Sequence, residues 1–139
     1  MSLDTTTQTM NSYLDTLLQR GDFAQFFTED VLWTTMETGQ EIRGREEVRD
    51  FIIALHAQFF DAHPELRSIS IADGTAALEA DCVGVHTGEF AGIPPTGANV
   101  RVGYSVFYDV GDAGISALRA YMPVRQIVEE LQAAAAGSS

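Results

Sequence analysis

Residues 75–97, TAALEADCVGVHTGEFAGIPPTG, contain the pattern that defines the fold of this protein. The first half alternates between apolar and polar side chains, as a strand does when one of its faces is buried. Ala80, Cys82 and His86 fall on the apolar face, and Asp81 falls on the other. The glycines and the proline pair that follow cannot continue a strand, so this segment predicts one long strand and then a loop.

The neighbouring segments repeat this alternation and predict a sheet. Upstream, residues 68–71 alternate with period two, and the turn pair Asp73-Gly74 then predicts a hairpin with the long strand. Downstream, residues 99–110 and 115–122 read as two more strands. Far upstream, residues 31–36 are β-branched and aromatic enough to form another strand.

Helical spacing appears at both ends of the chain and in the middle. Residues 10–18 carry an apolar stripe, and residues 23–27 suggest a short second helix. Residues 45–62 carry the longest helical pattern, which we expect Pro64 to end. Pro123 suits the first position of a closing helix.

Helices dominate the first half of the chain and strands the second, which indicates an α+β class. The sequence contains no internal repeat and no linker-like composition. We therefore expect a single domain over residues 1–139, with frayed ends at residues 1–4 and 133–139.

The charge balance narrows the possible partners. The formal net charge is -12, from 20 acidic and 8 basic residues, and such a surface repels phosphate backbones and anionic lipids. The apolar stretches are far shorter than the roughly 20 residues of a membrane helix. We expect no nucleic-acid partner, no membrane partner and a cytoplasmic location.

The residues that could hold a metal or form a disulfide are few. Cys82 is the only cysteine, so no internal disulfide can form, and we expect Cys82 to fill core. His56, His63 and His86 do not share a metal-binding spacing such as two histidines four apart on one helix. We predict neither a metal nor a cofactor.

Several phrases of the sequence resemble a known family. They are Gly21-Asp22, Val31-Leu32-Trp33, GREEV at residues 44–48, GVHTGEFAGIPPTG at residues 84–97, and the join between the last strand and the last helix. Together they resemble the SnoaL-like branch of the nuclear transport factor 2-like superfamily. The resemblance implies a cone-shaped fold, in which a curved antiparallel sheet wraps around the long helix and encloses a pocket.

The resemblance also implies a range of activities. SnoaL-like proteins include polyketide cyclases that close rings by intramolecular aldol chemistry, and the superfamily includes isomerases, dehydratases and epoxide hydrolases. In the aldol cyclases the closing strand brings an aspartate into the pocket. Here Ala120 and Pro123 stand at the comparable positions, and neither can move a proton.

Other residues are therefore candidates for acid–base chemistry. Imidazole is the side chain best suited to acid–base chemistry near neutral pH, and His86 lies in the apolar phase of its strand, as Tyr104 does in its own strand. Arg119 and Tyr121 share a face of the last strand and could polarise a carbonyl. The alternative for each is a structural role, as a hydrogen-bonded core side chain or an outer-face residue.

A further set supplies large apolar side chains for the wall of a ligand pocket. The members are Trp33, Met36, Phe51, Leu55, Phe59 and Phe90. Each could equally be plain core.

Two functions remain open from the sequence. The first is a cyclase, or a related lyase or isomerase, that closes a small, largely apolar, polyketide-like substrate by acid–base or pericyclic chemistry. The second is a non-catalytic small-molecule binding protein that has lost the aspartate.

The late strands carry apolar residues in both phases, Ile115, Phe107 and Tyr121 against Leu118 and Met122. One set should lie outside the core, so we expect a homodimer through the outer sheet face.

Overall fold

Residues 2–137 are described by a computed structural model and contain three α-helices and six strands. In chain order the elements are α1 (Leu3–Leu18), a 3₁₀ turn (Phe23–Phe26), β1 (Phe27–Thr35), β2 (Gln40–Arg43), α2 (Arg45–Ile53), a π-helical turn (Ala54–Gln58), β3 (Phe60–Ala72), β4 (Thr75–His86), β5 (Asn99–Gly111), β6 (Gly114–Tyr121) and α3 (Val124–Gly137).

All six strands form one curved sheet in the order β2-β1-β6-β5-β4-β3. The prediction of an α+β fold with a curved sheet is confirmed. The sheet is mixed, however, because β1 and β6 run parallel while every other neighbouring pair is antiparallel. A parallel pair requires a long connection, and here all elements from β2 to β5 lie between the two strands.

The hairpins follow the turn residues. Asp73-Gly74 joins β3 to β4, and Gly74 has a positive φ of 80°, which suits a residue without a side chain. The predicted strands at residues 75–87, 99–110 and 115–122 are confirmed within one or two residues. The short strand β2 was not predicted, because four mostly exposed residues show no periodicity and gain order by pairing with β1.

The predicted helix over residues 45–62 is too long. Helix α2 ends at Ile53, one π-helical turn continues to Gln58, and strand β3 has begun by Phe60. Pairing with the end of β4 outweighs the local helical spacing of these residues. Pro64 consequently lies inside β3, which is an edge strand where proline is tolerated, and it does not end a helix. Helix α1, with 16 residues, is longer than α2.

The ends of the described chain are helical. Ser2 caps α1 through a reciprocal pair of hydrogen bonds with Thr5, so the helix begins at Leu3. Helix α3 extends to Gly137, into the segment from residue 133 that we expected to fray. The expectations for residues 1, 138 and 139 lie outside the described residues.

The interior consists of two apolar clusters. The larger one packs α1 and α2 against β1 and the middle of the sheet and includes Tyr13, Phe27 and Leu118. The smaller one lies towards α3 and includes Phe60 and Leu131. None of the helices in the described part of the chain is long and apolar enough to cross a membrane.

Candidate active site

A cavity of about 90 Å³ lies between the helices and the concave face of the sheet, with walls from both apolar clusters. One buried water needs roughly 15 Å³, so this space can hold more than a single solvent molecule. Its walls come from α1, α2, the π-helical turn, the inner face of every strand except β2, the loop after β4, and the start of α3. Almost every wall side chain is apolar.

Four of the predicted site residues line this cavity: Trp33, Leu55, Phe90 and Tyr104. Tyr104 points inward because it shares the phase of the buried residues of β5. Trp33 is oriented by its indole N–H, which donates to the Thr35 hydroxyl at 2.9 Å. The alternation of the sequence therefore predicted the inner face of the sheet correctly.

The other predicted wall residues lie elsewhere. Phe51 packs edge-on against Trp33, with ring centroids 5.2 Å apart, and Phe59 packs against Phe90 at 5.7 Å. These two rings support wall residues from behind. Met36 is 38% exposed, beyond the end of β1.

Arg119 and Tyr121 lie on the outer face of the sheet, away from the cavity. Arg119 donates to both carboxylate oxygens of Asp109, at 2.8 and 3.1 Å, and this bond raises the pKa of the guanidinium. Tyr121 is half exposed and stacks edge-on with Phe107 at 5.7 Å. Ile115, expected to share their face, is fully buried, because the register between β5 and β6 shifts near Asp109.

His86 is completely buried beside the cavity rather than in its wall. The Thr96 backbone N–H donates to Nδ1 at 3.1 Å, so the proton of the neutral ring is on Nε2. Within residues 2–137, Nε2 has no hydrogen-bond partner. The His86 ring packs on the Phe60 ring, with centroids 5.4 Å apart. The His86 N–H donates to the Ala98 carbonyl, and the His86 carbonyl accepts from the Gly97 N–H. His86 therefore holds the loop that brings Phe90 to the cavity.

The tyrosines of the cavity are neutral hydrogen-bonding groups. Burial raises the pKa of Tyr13, Tyr104 and Tyr108, so all three keep their protons near neutral pH. Tyr13 and Tyr108 pack edge-on, with ring centroids 5.8 Å apart. Burial also raises the pKa of the Cys82 thiol, which is therefore not activated as a nucleophile.

His56 is the cavity residue that sequence reasoning missed. It lies in the π-helical turn and lines both the cavity and a second pocket that opens at the surface. Its Nδ1 lies 2.8 Å from the carbonyl oxygen of Ile52, and burial lowers its pKa. The sequence feature that could have identified His56 is its position four residues after Ile52, next to the apolar stripe. From the sequence alone, His56 is considered only as a possible metal ligand.

The second pocket, here called the mouth pocket, lies between the end of α1 and the start of β3. Arg20, His56 and His63 line it together with apolar residues. The Arg20 guanidinium donates to the Ala62 carbonyl at 3.2 Å and lies 3.5 Å from the Asp61 carboxylate. The mouth pocket shares several walls with the cavity, including Leu17, Ile52 and His56.

The positions where the resemblance would place an aspartate hold no titratable group. Ala120 is completely buried, and Pro123 lines the cavity. Among the described residues, no three of the types His, Cys, Asp and Glu lie close enough together to hold a metal ion.

The curved sheet around an apolar cavity defines a small α+β domain of the nuclear transport factor 2-like class. The model of the SnoaL-like polyketide cyclase family matches residues 8–124. The chain therefore belongs to the SnoaL-like polyketide cyclase family, and the resemblance seen in the sequence is confirmed.

Solved structures share the fold at low identity. A protein from Xanthomonas campestris pv. campestris, described as a polyketide cyclase, is 18% identical with a TM-score of 0.77, covering 93% of this chain and 98% of that one. One from Jannaschia sp. CCS1, described as SnoaL-like, is 16% identical with a TM-score of 0.79, covering 91% and 93%. AclR from Streptomyces galilaeus, described as a hydroxylase, is 16% identical with a TM-score of 0.76, covering 94% and 98%. No curated protein matches the sequence.

Proposed function

We propose that this protein is a cyclase, or a related lyase or isomerase, that acts on a small, largely apolar, polyketide-like substrate inside the cavity. The observation that carries the proposal is the cavity itself, a space between helices and sheet with apolar walls and a few neutral donors. Membership of a cyclase family supports this kind of chemistry. The descriptions of similar folds span cyclases and a hydroxylase, so the fold alone does not define the substrate.

Ring closure needs two things that this cavity offers. The first is confinement, because folding a linear chain so that its reacting carbons touch removes most of the entropic barrier. The second is a donor for the oxygen that becomes negative if the reaction passes through an enolate. Of the four candidates from the sequence, Tyr104 is the one that lines the cavity, and its raised pKa keeps its hydroxyl a donor. A pericyclic closure would use the confinement alone.

Two variants distinguish these modes on a linear polyketide-like substrate. If Tyr104 stabilises an oxyanion, Tyr104→Phe should lower turnover by about 100-fold. Tyr121→Phe removes the same hydroxyl from the outer face and should leave turnover unchanged. Ala80→Phe fills the cavity and should abolish turnover in either mode. If Tyr104→Phe is fully active and Ala80→Phe is inactive, Tyr104 does not stabilise an oxyanion and closure depends on the confinement; if Ala80→Phe is also active, the cavity is not the site.

The second candidate function is a non-catalytic binding protein for the same kind of ligand. Ala120 and Pro123 favour it, because the family's aspartate is missing from both positions. Native mass spectrometry of the purified protein should show a bound small molecule. Ligand released unchanged after long incubation would favour binding, and ligand released with a new ring would favour catalysis.

We also propose a homodimer that buries the outer sheet face. Phe107 is 41% exposed and Tyr121 49%, and their rings form one apolar patch around the Arg119–Asp109 ion pair. Exposed aromatic area of this kind favours an interface. Sedimentation should give twice the chain mass, and Phe107→Asp should shift it to the monomer. A wild-type mass near 15.1 kDa at micromolar concentration would contradict the dimer.

A further inference from the structure

His56 is the titratable group that connects the interior with the surface. The π-helical turn Ala54–Gln58 carries it, with the Phe59 N–H donating to the Ala54 carbonyl five residues back. The imidazole lines both the cavity and the mouth pocket. The ring is thus shared by the two pockets, together with apolar residues such as Leu17 and Ile52. Short π-helical insertions of this kind often occur at functional sites.

The hydrogen bond to Ile52 defines the tautomer of His56. A carbonyl oxygen can only accept, so the ring nitrogen 2.8 Å away, Nδ1, carries the proton in the neutral ring. Nε2 is then the basic nitrogen, with a free lone pair. A histidine oriented through an Nδ1–H bond to a backbone carbonyl is the form that accepts a proton at Nε2.

The surroundings of His56 favour this neutral, basic form. Burial lowers its pKa, and the charges of Arg20 and His63 in the mouth pocket lower it further, against an opposing effect of the Ile52 bond. On the cavity side, the titratable neighbours are the protonated tyrosines and Cys82. Within residues 2–137, neither pocket wall includes a carboxylate that would hold the ring as a cation.

We propose that His56 is the general base of this protein and takes a proton from the carbon next to a carbonyl of an apolar substrate. This proposal rests on the proposed function. Nε2 accepts the proton while the C–H electron pair becomes an enolate. The enolate carbon then bonds to a second carbonyl carbon of the same chain, and the resulting alkoxide takes the proton back from Nε2. The base is regenerated, and no co-reactant is needed.

A substrate-independent probe can test this role. 5-Nitrobenzisoxazole is a small apolar aromatic whose C–H proton is removed by a base while its N–O bond breaks, which releases a coloured nitrophenolate. The wild-type protein should accelerate this reaction, with a rate that rises with pH through a midpoint below 6.5. His56→Gln keeps an N–H that can donate to Ile52 but cannot accept a proton. The protein-dependent rate of His56→Gln should be about 100-fold lower than that of wild type.

A binding measurement separates this proposal from the proposed function. N-phenyl-1-naphthylamine, a neutral dye that fluoresces in apolar sites, should bind wild type and Tyr121→Phe equally, because Tyr121 lies on the outer sheet face. Dye binding without acceleration by wild type, or an undiminished rate in His56→Gln, would overturn the role of His56 and leave the cavity proposal intact. Failure of wild type to bind the dye, with Ala80→Phe no different, would overturn both.

Two further measurements distinguish a base from a merely structural histidine. Arg20→Gln removes a positive charge near His56, so it should raise the midpoint of the pH–rate profile towards 6.5 while preserving the plateau. Nitrogen NMR of wild type labelled at histidine should show the neutral His56 ring protonated at Nδ1. That spectrum decides the question even if His56→Gln does not fold, because a ring protonated at Nε2 would refute the proposal.

Discussion

The π-helical turn and the end of β4 each carry one histidine, and the ring nitrogens of these two histidines have opposite hydrogen-bonding roles. In the π-helical turn, Nδ1 of His56 donates to the Ile52 carbonyl, which leaves a basic nitrogen beside the cavity. At the end of β4, Nδ1 of His86 accepts from the Thr96 N–H, which leaves a proton on an enclosed nitrogen. Both rings are withdrawn from solvent, His86 completely and His56 in part. The backbone partner of Nδ1 determines whether the ring can act as a base or serves as a structural anchor.

The backbones of the two regions meet next to Gly88. The N–H groups of Thr87 and Gly88, just after His86, donate to the Phe59 carbonyl at 3.2 and 3.0 Å. Phe59 directly follows the turn that carries His56. A Cβ atom on Gly88 would collide with the Gln58 carbonyl, so only glycine permits this approach.

The largest effect should therefore come from Gly88→Ala, which pushes the two regions apart. Because the obstacle is backbone rather than a flexible side chain, the free energy of unfolding should fall by about 3 kcal/mol. Urea denaturation measures this loss. Gly103→Ala is the matched control, since its Cβ would lie at an ordinary 3.6 Å from an Asp81 carboxylate oxygen. Equal effects of the two variants would contradict the close approach.

Removing the anchor should have the next largest effect. His86→Ala leaves a cavity against Phe60 and an unpaired Thr96 N–H, which should cost about 2 kcal/mol of stability. Dye binding should also weaken, because Phe90 is held on the same loop. The exposed His63→Ala is the control and should stay within about 0.5 kcal/mol of wild type. A stable His86→Ala that lost only catalysis would reverse the assigned roles.

The smallest expected effect is a difference between wild type and His56→Gln in how the free energy of unfolding depends on pH. The pKa of His56 is lower in the folded protein than its ordinary 6.5, so the unfolded chain binds its proton at higher pH. The stability from burying the neutral ring is complete above that value and is lost as the pH falls below it towards the folded pKa. Urea titrations between about pH 7.5 and pH 5.5 should show a steeper decline for wild type than for His56→Gln. Parallel declines would contradict the lowered pKa.

The sequence predicted the sheet better than the site. Alternation along β4 and β5 correctly predicted that Ala80 and Tyr104 point inward. The alternation is a reliable guide because a shift of one residue would move the whole apolar face of a strand into solvent. The predicted end of helix α2 was wrong. Residues 60–62 have helical spacing in the sequence, but they form a strand because they pair with β4.

The site depended on contacts that a sequence pattern does not contain. His86 and His56 both lie on apolar faces, and their spacing cannot show which backbone group each ring meets. The outward direction of Tyr121 and the burial of Ile115 follow from a register shift between β5 and β6. Such shifts change which face a side chain occupies without leaving a mark in the composition of the strand.

The edge position of Pro64 has a consequence for how copies of this chain can associate. Strand β3 is 13 residues long and forms one border of the sheet, and a free border of that length can recruit a strand from another molecule and seed aggregation. Proline offers no N–H for such pairing, and the charged Glu65 and Arg67 follow it almost directly. This border therefore resists strand addition, which leaves the broad face that carries Phe107 and Tyr121 as the surface for the dimer proposed above.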